Sequence, residues 1–319
     1  MTMKKMGFFL GALAMAPFHG DGQDINELLS DWSVVTSGDL QLVTEIQGSA
    51  YIGGNVTVSN AFNVATRSSS LPESTVSLAV AGNIDNGGSL QVNGGSVVAG
   101  GSISRTINLN SGGTYQQNDP AGLPASPISA IAVASLYWST LTANSSVSVA
   151  ANGQLNFNCQ AGSSLAVFNL TAQQMFGSGY QGFVLNPAAA TGDIIINVEG
   201  DVNWSSGSFA NPFNTQYWDS HVLFNFYDAT SVSLSSLIGG YIVAPQASVT
   251  EQNDIVGGIM ASNLTVKSEV DLPGSDTSAW NGNLPSAPVP EASAGRLGAV
   301  GLAVGWIGRR ARWFTGAKL

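Results

Sequence analysis

Short β-branched segments, each introduced by a glycine-rich turn, recur through the first third of this 319-residue chain. They are Gly53-Gly54-Asn55-Val56-Thr57-Val58, Ala81-Gly82-Asn83-Ile84, Gly94-Gly95-Ser96-Val97-Val98 and Gly100-Gly101-Ser102-Ile103. Glycine supplies positive φ, asparagine tolerates it, and the Val or Ile that follows starts a strand whose alternate residues point inward. The second glycine of these turns stands at 54, 82, 95 and 101, giving intervals of 28, 13 and 6 residues. A β-sandwich would space its strands more evenly, at about 8 to 12 residues. Intervals of about 6 and its multiples suit a parallel β-solenoid, where each face of a coil gives one short strand and Gly, Asn or Ser turns the corners. Similar units return at 194–202, 239–245 and 256–261 and read as further coils.

One stretch breaks the β pattern. From Ser126-Pro127 to Leu141, the residues Ile128, Ile131, Ala132, Ser135, Leu136 and Leu141 keep helical spacing. Ser126 is the expected N-cap and Pro127 the first helical position. Such a helix would lie along one face of the solenoid or cap its end, with Tyr137 and Trp138 flanking its buried stripe.

Charge is distributed unevenly. Of the ten basic residues, seven sit in the two ends, and residues 21–288 hold only Arg67, Arg105 and Lys267 against nineteen acids, a net charge of −16. Nucleic acid is excluded as a natural partner, because no basic stripe exists to displace phosphate counterions. Anionic membrane surfaces are disfavoured for the same reason. Charged residues make up 9 % of the chain and hydrophobic ones 44 %, so it can bury a core. The lone cysteine, Cys159, excludes an intramolecular disulfide framework and alternates with Leu155 and Phe157, which marks it as a small buried hydrophobe.

The ends read as export signals. Lys4-Lys5 precede an apolar run at 6–18 and a small, polar stretch, the layout of a secretory signal peptide over residues 1–22. At the other end come Val289-Pro290-Glu291, an apolar Gly/Ala-rich stretch at 297–307, and Arg309, Arg310 and Arg312. An apolar segment closed by arginines is a stop-transfer arrangement, yet this one is short against the roughly 20 residues of a full span. The tail over 289–319 resembles the PEP-CTERM sorting signal. That resemblance implies recognition of Pro290 and Glu291 by a membrane-embedded, exosortase-like sorting protease. The expected organisation is signal peptide at 1–22, β-solenoid at 23–273, a Ser/Pro/Gly linker at 274–288 and sorting tail at 289–319. Membrane contact is expected only through the two ends, and the location is extracellular or cell surface after transient tethering to the inner membrane.

Several motifs in the middle of the chain share an order with one family. Asp31-Trp32-Ser33-Val34-Val35, Gly48-Ser49-Ala50-Tyr51-Ile52-Gly53-Gly54-Asn55-Val56 and Val80-Ala81-Gly82-Asn83-Ile84 are followed by Ile196-Asn197-Val198-Glu199-Gly200, Gly240-Tyr241-Ile242-Val243-Ala244-Pro245 and Val256-Gly257-Gly258-Ile259-Met260-Ala261. Over residues 25–272 the chain resembles choice-of-anchor A domains. This implies an extracellular, adhesin-like, right-handed parallel β-helix. The expected fold class is therefore all-β, a solenoid with one accompanying α-helix, flanked by the signal peptide and a hydrophobic tail helix.

No catalytic constellation stands out. His221 lacks the second His or the Cys partners of a zinc site and reads as a strand-end surface residue. Asp193, Glu199 and Asp201 are the one close set of acids from which a glycosidase pair could come, and they read as acids on a solvated face. No calcium loop or calcium-binding repeat is present, and no cofactor is expected. The candidate ligand-binding stretch is 204–219, where Trp204, Phe213, Tyr217 and Trp218 alternate with Asn, Gln and Ser, as a sugar-stacking surface requires. Its rings could equally fold back onto the solenoid. Ice binding would need a regular Thr ladder, and Thr57 and Thr265 read as isolated pieces. The expected role is a secreted, non-enzymatic surface or matrix protein, adhesive or structural, in biofilm or cell envelope. The competing expectation is a carbohydrate-binding or carbohydrate-active protein on the same scaffold, with extracellular polysaccharide as partner.

Overall fold

The structure, a computed structural model, describes residues 24–42, 44–67, 72–177, 179–205 and 207–288. The signal-peptide region and the tail with Val289, Pro290, Glu291, Arg309, Arg310 and Arg312 lie outside the described residues. Eighteen strands join in one sheet in which every pairing is parallel. A coil-by-coil stack, the solenoid, is what such pairing builds.

The order of strands along the stack differs from their order in the chain. On one face it runs Leu165–Thr171, Asp193–Glu199, Val222–Asn225, then the first parts of Ile238–Glu251 and Ile255–Val266. It continues through Val34–Thr36, Ala50–Ile52, Val76–Val80, Ser96–Ala99 and Tyr115–Gln116. The chain therefore enters at mid-stack and builds outward to one end. It then crosses back on a helix, restarts at the far end and returns until Ile259 pairs with Val34. Two further faces run along the stack, one through Val202, Val232, Val249, Leu264 and Leu40, the other, over part of its length, through Val270, Ile46, Val64, Val92 and Leu109.

Corner glycines explain the uneven spacing seen in the sequence. Gly38, Gly54, Gly82 and Gly101 stack: the last three N–H groups each donate to the carbonyl of the glycine one coil before at 2.9 Å, and the Gly38 N–H donates to the Ser262 carbonyl at 2.6 Å. A Cβ on Gly82 would fall 2.6 Å from the Gly54 carbonyl oxygen, so the coils could not close this tightly with any other residue. Gly95, at φ 68°, turns a different corner against the Thr75 carbonyl. The intervals of 13 and 6 thus mix corners of different faces, and the true coil lengths on this column follow 38, 54, 82 and 101.

The first face is buried on both sides. Its inward residues, such as Val34, Ile52, Val80, Ile196, Phe224 and Ile242, enter the interior core. Its outward residues Val35, Tyr51, Ala79, Ile195, Leu223, Tyr241 and Met260 form a second cluster beneath helices. Helix α1 (Ile25–Asp31), capped by the Asp24 side chain at Asn26 N–H (3.0 Å), lays down Ile25, Leu28 and Leu29. Helix α2 (Ile128–Ser139) is the return crossing. The residue before the helix is Pro127, one later than expected for the N-cap, while Ser126 Oγ still accepts the Ile128 N–H at 3.4 Å. Its buried face is Ile131, Ala134, Ser135 and Trp138, while Leu136 is exposed. Trp138 thus lies at the centre of the stripe it was expected to flank, because the surface below offers a seat for one large ring.

Three asparagines fix α2 to the sheet. Asn169, Asn197 and Asn225 are 28 residues apart and stack, with Nδ2 of Asn225 donating to Asn197 Oδ1 and Nδ2 of Asn197 to Asn169 Oδ1, both 2.8 Å. The ladder also reaches the helix. Asn197 donates to the Trp138 carbonyl, Asn225 to the Ser135 carbonyl, and Ser135 Oγ to Asn225 Oδ1 at 2.6 Å. Asn197 and Asn225, both buried and paired in this way, add specificity without an uncompensated desolvation cost.

The stretch expected as a linker begins as packed chain. Ala279, Trp280 and Leu284 are buried in the cluster under the helices, and the Pro285 carbonyl accepts from Trp138 Nε1 at 2.9 Å. Its Ser and Gly content suggests mobility, but its three apolar side chains find an uncovered part of the same surface.

Candidate functional site

Among the described residues, helices α1 and α2 do not cover the face that carries Val202, Val232, Val249, Leu264 and Leu40 inward, and the short helix Ala172–Phe176 meets it at its Val202–Trp204 end. Strand alternation turns the next residue of each coil outward. These are Asn203, Ser233, Thr250, Thr265 and Gln41, each in register with the next. The bridges Leu40 to Val56, Val56 to Ile84 and Ile84 to Ile103 extend the column to Thr57, Asp85 and Ser104. Neighbouring coils lie about 4.8 Å apart, so the column is a regular series of hydroxyls and amides along the rod.

A second polar column runs two residues earlier, at the corner, and holds the coils in line. Asp39 N–H donates to Asn263 Oδ1 (2.9 Å), Asn55 N–H to Asp39 Oδ1 (2.7 Å), Asn83 N–H to Asn55 Oδ1 (2.9 Å) and Ser102 N–H to Asn83 Oδ1 (2.9 Å). Asp201 plays the same part further along, accepting from Thr230 N–H (2.7 Å) and Ser231 N–H (3.0 Å). Those bonds hold its carboxyl below the usual range. No basic side chain stands in either column. Thr57 and Thr265, isolated in the sequence, belong to one column with Thr250, although Ser, Gln, Asn and Asp share it.

The aromatic stretch does not form a row of exposed rings. Trp204 and Phe213 are inside the core, Trp218 is buried, and only Tyr217 is exposed. Phe209 joins Trp204 (5.4 Å between centroids) and Phe213 (5.1 Å), and Phe213 meets Phe157 at 5.3 Å. Large rings gain more from mutual burial than from solvent. Tyr217 stacks on His221 at 4.0 Å and 11°, and its hydroxyl donates to the Gly192 carbonyl.

The acids do not converge. Asp193 and Glu199 begin and end one seven-residue strand, and Asp201 follows outside it. His221 adjoins Asp193 across the ladder through the pairing of Ile194 with Val222. Its Nδ1 lies 2.7 Å from the Tyr217 carbonyl and 3.1 Å from Ser220 Oγ. A nitrogen that donates to a carbonyl cannot also accept the serine proton, so Ser220, itself buried, has no base here. Burial pushes the Cys159 thiol up to about 11, which keeps it protonated against the core. Among the described residues, no group of three or more His, Cys, Asp or Glu side chains could hold a metal ion. No helix among them is long and apolar enough to cross a membrane.

Residues 25–272 match the family described as "Putative Ice-binding-like adhesive domain". The chain belongs to that family. Neither a curated protein nor a solved structure matches it. The adhesive domain thus covers the whole stack, both helices α1 and α2 and the uncovered polar face. That face was missed in the sequence because its members come from coils far apart in the chain. Alternation within each short segment, polar after Val or Leu, was the signal that could have found it.

Proposed function

We propose that this adhesin-like chain is a non-enzymatic, secreted surface or matrix protein that holds polysaccharide or another repetitive polar surface through its uncovered face. The observation that carries the reading is the in-register column of Asn203, Ser233, Thr250, Thr265, Gln41 and Thr57. Hydroxyls and amides repeated at coil spacing suit a ligand that repeats too, and many weak contacts on a rigid array sum to useful avidity. The signal-peptide pattern at 1–22 and the tail with Val289, Pro290, Glu291, Arg309, Arg310 and Arg312 support export, transient inner-membrane tethering and handling by an exosortase-like protease. The choice-of-anchor A resemblance supports a right-handed coil and a place in biofilm or cell envelope.

Full-length protein on a sensor surface, exposed to cell-envelope polysaccharide, tests the reading. Thr250→Tyr with Thr265→Tyr should abolish retention while leaving the melting curve unchanged, and Tyr217→Ala should leave retention intact. Retention that survives the double change, or that follows Tyr217, would overturn the assignment of the face.

A further inference from the structure

Helix α2 holds no charged side chain, and residues 120–192 contain no Asp, Glu, Lys or Arg at all. In a body that carries −16 over residues 21–288, this stretch stands apart. On its inner side α2 is seated by Ile131, Ala134, Ser135 and Trp138. On its outer side Ser129, Val133, Leu136 and Thr140 are exposed, and their spacing of 4, 3 and 4 residues places them on one stripe along the helix. Val133 leaves 43 % and Leu136 51 % of its surface to solvent. Two hydroxyls at the end of the helix are bonded back onto it, Ser139 Oγ donating to the Leu136 carbonyl and Thr140 Oγ1 to the Tyr137 carbonyl, both at 2.7 Å. A helix on the surface of a folded body ordinarily turns charge to water, and one that is apolar on both sides has a second neighbour to meet.

The place where the chain leaves the body says what that neighbour is. Asn26 of α1 clasps the last packed segment: its Nδ2 donates to the Leu284 carbonyl (3.1 Å), and its Oδ1 accepts from the Leu284 N–H (2.7 Å) and Trp280 Nε1 (3.3 Å). The next carbonyl, that of Pro285, is bonded to Trp138 of α2, and α1 packs against α2. The first and last packed segments of the body therefore meet beside α2. From Pro285 the sequence runs through eleven residues, 286–296, to the apolar stretch at 297–307. Eleven residues reach at most about 40 Å, even when fully extended.

We propose that the outer stripe of α2 rests on the zwitterionic lipid surface to which the tail tethers the body. This depends on the tethering read above for the tail, and adds to it a contact made by the folded domain. Two aliphatic side chains are too few to hold the body on lipid from free solution. A tether of this reach raises their effective concentration at the surface, so that a weak contact is kept. Val133 and Leu136 enter the headgroup boundary, where the hydroxyls already paired within the helix bring no free donor to be desolvated. Charge sets the kind of lipid. Glu27 and Asp31 are exposed on the neighbouring α1, and the body is acidic throughout, so anionic headgroups repel it and zwitterionic ones do not. The polar column lies on another face of the coil and stays free for its ligand.

Flotation of the full-length chain with phosphatidylcholine vesicles tests this, with Cys159→Ala as background and one new cysteine carrying a polarity-sensitive fluorophore. A label at Leu136→Cys should shift to the blue on the vesicles, and one at Thr265→Cys on the polar face should not. A label at Ser129→Cys should shift as well, and should lose the shift when Val133→Glu and Leu136→Glu are added, while flotation through the tail continues. Flotation with an unshifted Leu136→Cys label, an equal shift at Thr265→Cys, or a Ser129→Cys label that keeps its shift beside the two glutamates would each overturn the contact and leave the tether standing. Absence of flotation would overturn the tether, and the contact with it.

Discussion

Two faces of this rod are built from the same kind of strand and meet opposite fates. On the covered face, the outward positions are Val35, Tyr51, Ala79, Met260, Tyr241, Leu223 and Ile195, and helices α1 and α2 lie over them. On the uncovered face, the corresponding positions are Asn203, Ser233, Thr250, Thr265 and Gln41, which stand outside the cluster beneath α1 and α2. The inward residues do not separate the two, since both sets are apolar and buried. The difference lies only in the alternate residue of each strand. It decides which face becomes interior and which is left to meet a partner.

The comparison breaks most readily at Trp138. Trp138→Ala removes a fully buried ring between α2 and the sheet and should cost about 3–5 kcal/mol, read from the shift in denaturant midpoint. A loss below about 1 kcal/mol would mean that the helix cover is not part of the folded unit. Next comes the amide ladder. Asn197→Ala leaves the Asn169 Oδ1 and the Trp138 carbonyl without their donor, and about 2–3 kcal/mol should go with it. Double-mutant analysis with Ser135→Ala should show coupling, because both changes loosen the same helix contact.

A smaller effect is expected from acid titration behind the uncovered face. Glu251 is fully buried at the end of its strand, one oxygen has no partner, and desolvation pushes its carboxyl up to about 8. The folded chain then keeps a proton that the unfolded chain releases near the ordinary glutamate range. Between those two values the folded state binds more protons, so stability is highest at the acid side and falls as pH rises toward 8. Asp219, raised to about 7 by burial, adds to the same slope. Denaturant melts should show lower stability at pH 8.5 than at pH 5.5, and Glu251→Gln should flatten the slope. A slope of opposite sign would refute the assignment. The smallest effect on stability belongs to the column itself. Thr265→Val should change it by no more than about 0.5 kcal/mol, since the side chain neither fills the core nor caps a buried group.

Much of the fold was legible in short segments. The Gly-Asn-Val corners, the later Gly-rich units and the helix near 128–139 all stand where local chemistry requires them, because turn residues and alternation act over a few positions. The coil lengths were not legible, since Gly95 and Gly54 look alike in sequence but turn different corners. The buried face of α2 was displaced because Trp138 is placed by the sheet below, including Asn197, and not by helical spacing. The aromatic stretch misled for a related reason. Polar neighbours such as Asn211, Asn214 and Gln216 suggested solvent, while Trp204 and Phe213 answered to Phe157 and Phe209 across the core.

The sequence by itself determined that this chain stacks short strands into coils, because glycine corners and alternating Val, Ile and Leu leave little else that buries them. It also determined the acidity of the body and the distinct character of the two ends. Only the tertiary structure decided which coils are neighbours, with the first strand set against Ile255–Val266 and the rod closed from its middle. Parallel pairing joins residues without regard to their distance along the chain. For that reason Thr57 and Thr265 share a column, and the uncovered polar face appears only once the coils are stacked.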